Sequence, residues 1–281
     1  MDSRAGTAMR LQGLIFVALC LLYSQAQAVK LVVLDVGEGQ AVLLQHQEQG
    51  ILLDTGHAGQ GQHVLQRLQQ HGVKKVKAIV LSHLHPDHSS AYFRLREAFA
   101  DAEVYESGHP LPDNLSPDMS RWVMQGIRKD PLHRIVREGD TLTLGAARLH
   151  VLWPGEFTNH NLNLHSLVLM IELGESRVMI MGDVPKAVER YLLASKRLPQ
   201  KVDVLIAGHH GADDTGEPQF LEHVNPKFSV ISVNAGNHRG YPDEAVVKNL
   251  RRFSGQLLRT DVDGELCFHL LPGRVERFSC P

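Results

Sequence analysis

The sequence predicts a layered α/β protein, and three observations carry that prediction. Short apolar, β-branched runs alternate with stretches of helical periodicity. Three of the runs end in histidine or aspartate, as strands do when their carboxyl ends line a site crevice. Finally, no Gly/Ser linker, charge block, low-complexity tract or internal repeat divides residues 29–281, so one domain is expected there.

Residues 1–28 read as a secretory signal peptide. Arg4 and Arg10 precede an apolar run from Leu11 to Tyr23, and Ala26-Gln27-Ala28 offers a cleavage site. The run falls short of the roughly 20 apolar residues that span a bilayer. Export to a periplasm or the medium is expected, with no stable membrane insertion after cleavage. Next, Lys30–Val36, Ala41–Gln45 and Ile51–Asp54 read as a strand meander, and His63–His71 as a helix closed by Gly72. Ala78–Ser82 is a buried strand, Ser89–Phe99 a helix and Ala102–Glu106 a short strand. Gly108–Asp118, rich in Pro, Asp, Asn and Ser, reads as a loop. Ser120–Arg128 is helical. Thr141–Leu144 and Arg148–Trp153 are strands, and Leu167–Leu173 with Arg177–Met181 form a hairpin. Val188–Leu193 is a helix, Val202–Ala207 a strand, Gln219–His223 a short helix, Phe228–Val233 a strand and Asp243–Phe253 a helix.

Glu265–Leu271 and Val275–Cys280 close the chain as a hairpin around Pro272-Gly273-Arg274. A turn at Gly273-Arg274 would set Cys267 opposite Cys280, close enough for a disulfide in an oxidising compartment. The net charge is −2; loss of Arg4, Arg10 and Asp2 with the leader makes it −3. Bulk charge therefore gives no basic footprint for nucleic acid. The local clusters Lys74-Lys75, Arg128-Lys129 and Arg251-Arg252 read as solvated faces.

The chemistry concentrates in His83-Leu84-His85-Pro86-Asp87-His88. His83 and His85, two apart in an extended chain, can point the same way. Pro86 keeps His85 extended, and Asp87 and His88 fall where a helix begins. One segment can thus serve two adjacent cations, His83 and His85 on one, Asp87 and His88 on the other. Imidazole suits zinc, and carboxylate also tolerates manganese. The run Arg177–Met181 ends in Gly182-Asp183, and Asp203–Ala207 ends in Gly208-His209-His210-Gly211. Asp183 can bridge two ions, or alternatively act as the N-cap before Val184-Pro185. His209 or His210 can complete the second ion.

These residues resemble the metallo-β-lactamase fold superfamily, through HxHxDH, the later Gly-Asp and His-His-Gly. Finer motifs resemble the hydrolase domain of the ComEC-like competence proteins: Leu34-Asp35-Val36-Gly37-Glu38-Gly39-Gln40-Ala41, Ile51–Gly56, Asn163–Leu169, and a closing pattern of Ile231-Ser232-Val233, Asn237, Pro242 and Arg259-Thr260-Asp261. The resemblance implies an αββα four-layer sandwich, two divalent ions (zinc, with manganese the alternative) and a metal-activated water attacking a phosphodiester, DNA first among substrates. It implies catalytic roles for Asp87 and Asp183, orientation of the histidines by Asp54 and Asp35, and substrate contact by Asn237 and Ser232. Three departures stand out. Gln40 replaces the family's usual Asp, Tyr241 stands where His is frequent, and the third ligand of the first ion has only His165 and His160 as candidates. Alternatives are a hydrolase of a lactam or small ester, or a metal-free binding protein of the same fold.

Overall fold

A computed structural model describes residues 28–111, 119–155 and 161–281. The predicted leader up to residue 27, His160 and most of the loop's tip (112–118) lie outside the described residues. Among those described, no helix is long and apolar enough to cross a membrane.

In chain order the strands are β1 (Val29–Val33), β2 (Val42–His46), β3 (Gln49–Leu53), β4 (Lys75–Val80), β5 (Glu103–Glu106), β6 (His133–Ile135), β7 (Thr141–Leu144), β8 (Ala147–Trp153), β9 (Val168–Leu173), β10 (Ser176–Ile180), β11 (Val204–Ile206), β12 (Phe228–Ile231), β13 (Gln256–Arg259), β14 (Leu266–Leu271) and β15 (Arg274–Phe278). The helices are α1 (Gly61–Gln70), α2 (Pro86–Ser89), α3 (Tyr92–Ala98), α4 (Met119–Lys129), α5 (Lys186–Ala194), α6 (Pro218–Val224), α7 (Glu244–Phe253) and α8 (Thr260–Asp263). One sheet runs β15-β14-β1-β2-β3-β4-β5-β6, the other β13-β12-β11-β10-β9-β8-β7. Each is antiparallel through its meander, then parallel, at β3-β4-β5-β6 and at β10-β11-β12-β13.

Side-chain alternation makes the layers. Leu31, Val33, Val80, Val178 and Ile180 face a central core between the sheets. Their neighbours Val32, Leu34 and Ile79 face outward onto Val64 and Leu68 of α1, Leu95 of α3 and Val123 and Ile127 of α4. On the other sheet, Met179 and Leu205 face Val188 of α5, Phe220 of α6 and Leu250 of α7. Three apolar clusters separate four layers, in the order helices, sheet, sheet, helices. Strands buried on both faces need apolar residues at successive positions, which explains the unbroken runs in the sequence.

Several expectations are corrected. The helix expected over Ser89–Phe99 is two pieces, α2 and α3, with Ser90 and Ala91 between them. The edge strands β6 and β13 and the single turn α8 were not expected. Asp183 does not cap α5: the N-cap is Pro185 and no side chain caps it. The last hairpin turns at Pro272-Gly273, so Cys267 pairs with Phe278 rather than with Cys280. Cys280 lies two residues further on and still reaches Cys267 in a disulfide, with Cα atoms 5.5 Å apart.

That bond ties the outermost strand β15 to β14 across 13 residues. Chain-entropy reasoning puts its worth at about 2–3 kcal/mol. Reduction in the presence of a chelator is expected to lower the melting temperature by roughly 5–10 °C. A calorimetric scan showing no change would mean that β15 is held by its ladder alone.

Candidate metal centre

The site sits where the carboxyl ends of β3, β4, β10, β11 and β12 converge. His85 is the N-cap of α2, extended at φ −60°, ψ 142°, with Pro86 in the first helical position. This one-turn helix buries Asp87 and His88. After β11, His209 (φ 48°) and His210 (φ 53°) both adopt left-handed conformations between Gly208 and Gly211. Such backbone costs on the order of 1–3 kcal/mol per residue and collects at functional sites.

The candidate ligands form two groups. His83, His85 and Asp183 offer atoms within 4.8 Å of one another, as do Asp87, His88 and His210. Asp183 faces both: Oδ2 is 3.6 Å from His83 Nε2 and 3.8 Å from His210 Nε2, and Oδ1 is 3.1 Å from His88 Nε2. Within the groups, His83 Nε2 is 2.9 Å from His85 Nδ1, and His210 Nε2 is 3.4 Å from Asp87 Oδ2.

A hydrogen-bonded frame sets the imidazole tautomers. Asp54, 1% exposed, accepts from the Ser82 amide through Oδ1 (2.6 Å). Its Oδ2 accepts from Ser82 Oγ (2.8 Å), Gln40 Nε2 (2.9 Å) and His88 Nδ1 (2.8 Å). With the Ser82 hydroxyl proton committed to Asp54, Ser82 Oγ accepts from His83 Nδ1 at 3.0 Å. The Ser232 carbonyl accepts from His210 Nδ1 at 2.9 Å. Nδ1 is the donor in all three rings, which leaves Nε2 as the ring atom turned into the site.

These residues fit a pair of cations. His88 Nε2 and His210 Nε2 face each other at 3.2 Å, both with Nδ1 already donating. Asp183 Oδ1 is buried with no hydrogen-bond partner, although it lies 3.1 Å from His88 Nε2. The field calls for positive charge. Burial acts to lower the His88 pKa, but Asp183 and Asp54 prevail and push it well above the ordinary value. Burial opposes ionisation of Asp183, yet His88, His210 and His83 hold it well below the usual range, and His210 and His88 likewise prevail over burial to lower Asp87. Burial pushes His83 and His85 down, toward the neutral, ligating imidazole.

The backbone under the ligands is gripped by the two glycine-containing motifs. Gln40 N–H donates to the Asp87 carbonyl, and Thr55 N–H and Oγ1 both donate to the His88 carbonyl. The Asp183 amide donates to Ser166 Oγ at 3.1 Å. Ser82 and Ser166 were not singled out from sequence, and Gln40 only as a departure from the family pattern. The usable signal for Ser82 was its place immediately before the first histidine, at a strand end.

Other candidates stand apart from the two ligand groups. His209 joins neither ligand group: Nδ1 contacts Asp214 Oδ1 at 2.8 Å, and Nε2 lies 3.4 Å from Asn163 Nδ2. His165 is also outside both groups and stacks on His109 with centroids 4.8 Å apart. Asp35 is exposed and accepts from the Gly37 amide in a turn, so it orients no histidine there. Asn237 spends its amide on its own loop: Nδ2 donates to the Asn234 and Tyr241 carbonyls, and Oδ1 accepts from the Arg239 and Tyr241 amides. Ser232 Oγ donates to the Gly39 carbonyl and its own carbonyl accepts from His210 Nδ1, so it holds this junction.

The frame makes a graded prediction. Asp54→Ala should weaken both ions by about 10–100-fold, because it frees His88 directly and His83 through Ser82. Ser82→Ala should weaken chiefly the ion held by His83. Calorimetric titration with the metal separates the two variants; equal losses would refute the relay through Ser82.

The sequence pattern of the metallo-β-lactamase superfamily matches residues 34–233. ComE operon protein 3 of Bacillus subtilis is 29% identical over 216 residues, 74% of this chain and 26% of that protein. Competence protein ComA of Neisseria gonorrhoeae is 27% identical over 211 residues, 73% of this chain and 27% of that protein. The chain thus spans about a quarter of the length of these curated relatives. The metallo-β-lactamase fold protein YhfI from Bacillus subtilis superposes with a TM-score of 0.54 at 15% identity, covering 88% of this chain and 99% of that one, a likeness of fold. The pattern match takes in both ligand groups and their frame, and the chain belongs to the metallo-β-lactamase superfamily of metal-dependent hydrolases, with ComEC-like competence proteins among its relatives.

Proposed function

We propose that the protein is an exported di-metal phosphodiesterase that cleaves DNA. The observation that carries this reading is Asp183 lying between two three-residue ligand groups, each framed by Nδ1 hydrogen bonds. His83 and His85 would hold one ion, Asp87, His88 and His210 the other, and Asp183 both. Bound there, the ions would supply Lewis acidity and an ionised water at neutral pH. The chain's own contribution is orientation. Asp54, Ser82 and the Ser232 carbonyl keep the imidazoles in one tautomer, and the buried setting keeps their charges from being screened.

A cleft of about 580 Å³ opens beside Asp87 and Pro86, lined also by Glu38, His57, Gln60 and Arg239. Arg239 Nε is 3.5 Å from Glu38 Oε1, and its side chain is about half exposed, so a phosphate can take the carboxylate's place. The similarity to competence proteins supports DNA as the polyanion. The leader-like start and the Cys267–Cys280 disulfide support export.

The test is an activity panel on the processed protein. Single- and double-stranded DNA, RNA and a lactam are offered with zinc and with manganese, beside the His85→Ala variant. DNA cleavage that requires metal and disappears in His85→Ala is the expected result. A metal-loaded protein that cuts no phosphodiester would overturn the reading.

A further inference from the structure

A third ligand cluster, separate from the two around Asp183, lies where α1 meets the last hairpin. His71 follows the last residue of α1 and is 5% exposed. Its Nε2 is 2.7 Å from Glu265 Oε1. Cys267 Sγ, fully buried, is 3.9 Å from the same oxygen, and the ligand atoms of these three residues all lie within 4.8 Å of one another. Cys280 is bonded to Cys267 and sits 3.3 Å from the Glu265 carbonyl. Arg67 completes the group. Nε donates to Glu265 Oε2 at 2.9 Å, and one terminal nitrogen donates to Oε1 at 2.7 Å.

We propose that this cluster is a redox-gated site for one zinc-class divalent ion. The disulfide and the ion are alternative occupants of one place. In the oxidised chain the two sulfurs bond each other and His71 donates to Glu265. A dithiol reductant opens the S–S bond, giving two thiols and itself becoming a cyclic disulfide. The ion then takes two thiolates, whose protons pass to solvent, together with Glu265 Oε1 and His71 Nε2, whose proton moves to Nδ1 through solvent.

Two sulfurs, one imidazole and one carboxylate match the tetrahedral preference and borderline-soft character of zinc. The His71–Glu265 and Cys267–Glu265 distances need only sub-ångström changes, because tetrahedral ligands about a zinc ion stand roughly 3.3–3.8 Å apart, given bonds of about 2.0–2.3 Å; the two sulfurs must part further, once the bond between them is broken. Charge also closes. Two thiolates, one carboxylate and a dication sum to −1, and Arg67 is already seated on Glu265 to offset it. His71 comes from α1, Cys267 from β14 and Cys280 from just beyond β15. The ion would therefore staple the sheet edge to a helix where the disulfide staples two strands. In a reducing environment the edge would remain closed.

The test compares oxidised and dithiol-reduced protein by equilibrium dialysis against cobalt(II), with absorption spectra. The reduced protein should bind one more ion than the oxidised protein. It should also show a near-ultraviolet thiolate-to-cobalt charge-transfer band, which histidine and aspartate ligands do not produce. That band should vanish in reduced Cys280→Ser and weaken in His71→Gln, while the oxidised protein never shows it. Equal stoichiometry in the two states, or a band that survives in Cys280→Ser, would overturn the proposal. Should reduction without metal loosen the fold, near-ultraviolet circular dichroism decides: restoration by one added equivalent supports the site, and failure to restore refutes it.

Discussion

Asp183→Asn is expected to yield a folded protein that no longer holds a pair of ions and hydrolyses its substrate at least about 100-fold more slowly, beyond the usual cost of losing a mere supporting residue. The substitution keeps volume and shape, so the packing around β10 and the hydrogen bond from the residue 183 amide to Ser166 Oγ remain. What disappears is the charge that faces both ligand groups: Oδ2 toward His83 and His210, Oδ1 toward His88. Three imidazoles then share the negative charge of Asp54 and Asp87 alone. Removing one partner of a buried charge cluster leaves His88 less compensated, so the metal-free variant should melt below the metal-free wild type. The contrast appears on adding zinc or manganese. At a hundred times Kd, each ion adds about 2.7 kcal/mol of stability to a native state that binds it. Wild type should gain that for two ions, and Asp183→Asn for one at most. Thermal melts with metal titrated in, run beside a hydrolysis assay, check both halves. A variant that takes up two ions with unchanged affinity would remove Asp183 from the bridge.

The layers were legible because burial on both faces of a strand forces apolar residues at consecutive positions, as in Leu31-Val32-Val33-Leu34 and Val178-Met179-Ile180-Met181. The strands that escaped notice, β6 and β13, lie at sheet edges with one neighbour each. His133-Arg134-Ile135 is half-buried at best, and Gln256–Arg259 buries only Leu258. The ligands were legible because adjacent metal-binding side chains in one motif are costly unless something uses them. The choice between His209 and His210 was not. It follows from two consecutive left-handed residues, a backbone path that no side-chain pattern announces. The supporting frame was partly hidden for a different reason. Asp54 meets His88 from 34 positions away, and Ser232 meets His210 from 22 away, partners that only the folded sheet ends bring together. Gln40 shows how a departure from the family pattern can be absorbed: its amide donates to Asp54, so the position serves the frame as a donor rather than as an acid.

Gly39→Ala should cost roughly 3–5 kcal/mol, in the range reserved for a few severe mechanisms, and lower the melting temperature by about 10 °C. A Cβ at this position would stand 2.0 Å from the Asp87 carbonyl oxygen, with the Asp87 carbonyl carbon at 2.8 Å. The obstacle is backbone, which cannot swing aside as a side chain would. The φ of +110° adds strain for any residue with a Cβ. The collision falls on the peptide that follows Asp87 and leads directly to His88. The Gly39 carbonyl accepts from Ser232 Oγ, and the Ser232 carbonyl holds His210 Nδ1. Displacement of residue 39 therefore reaches Asp87, His88 and His210, all three members of one ligand group, while His83 and His85 hang from β4 by separate contacts. The expected signature is selective: the ion held by His210 weakens more than the ion held by His83. Gly72→Ala supplies the control for backbone strain alone, since φ there is +79° and nothing lies within 4 Å of the added carbon. It should cost only about 1–2 kcal/mol and leave both affinities intact. Were Gly39→Ala to match Gly72→Ala in melting temperature and in both metal affinities, the close passage of residue 39 over Asp87 would not be what fixes that half of the site.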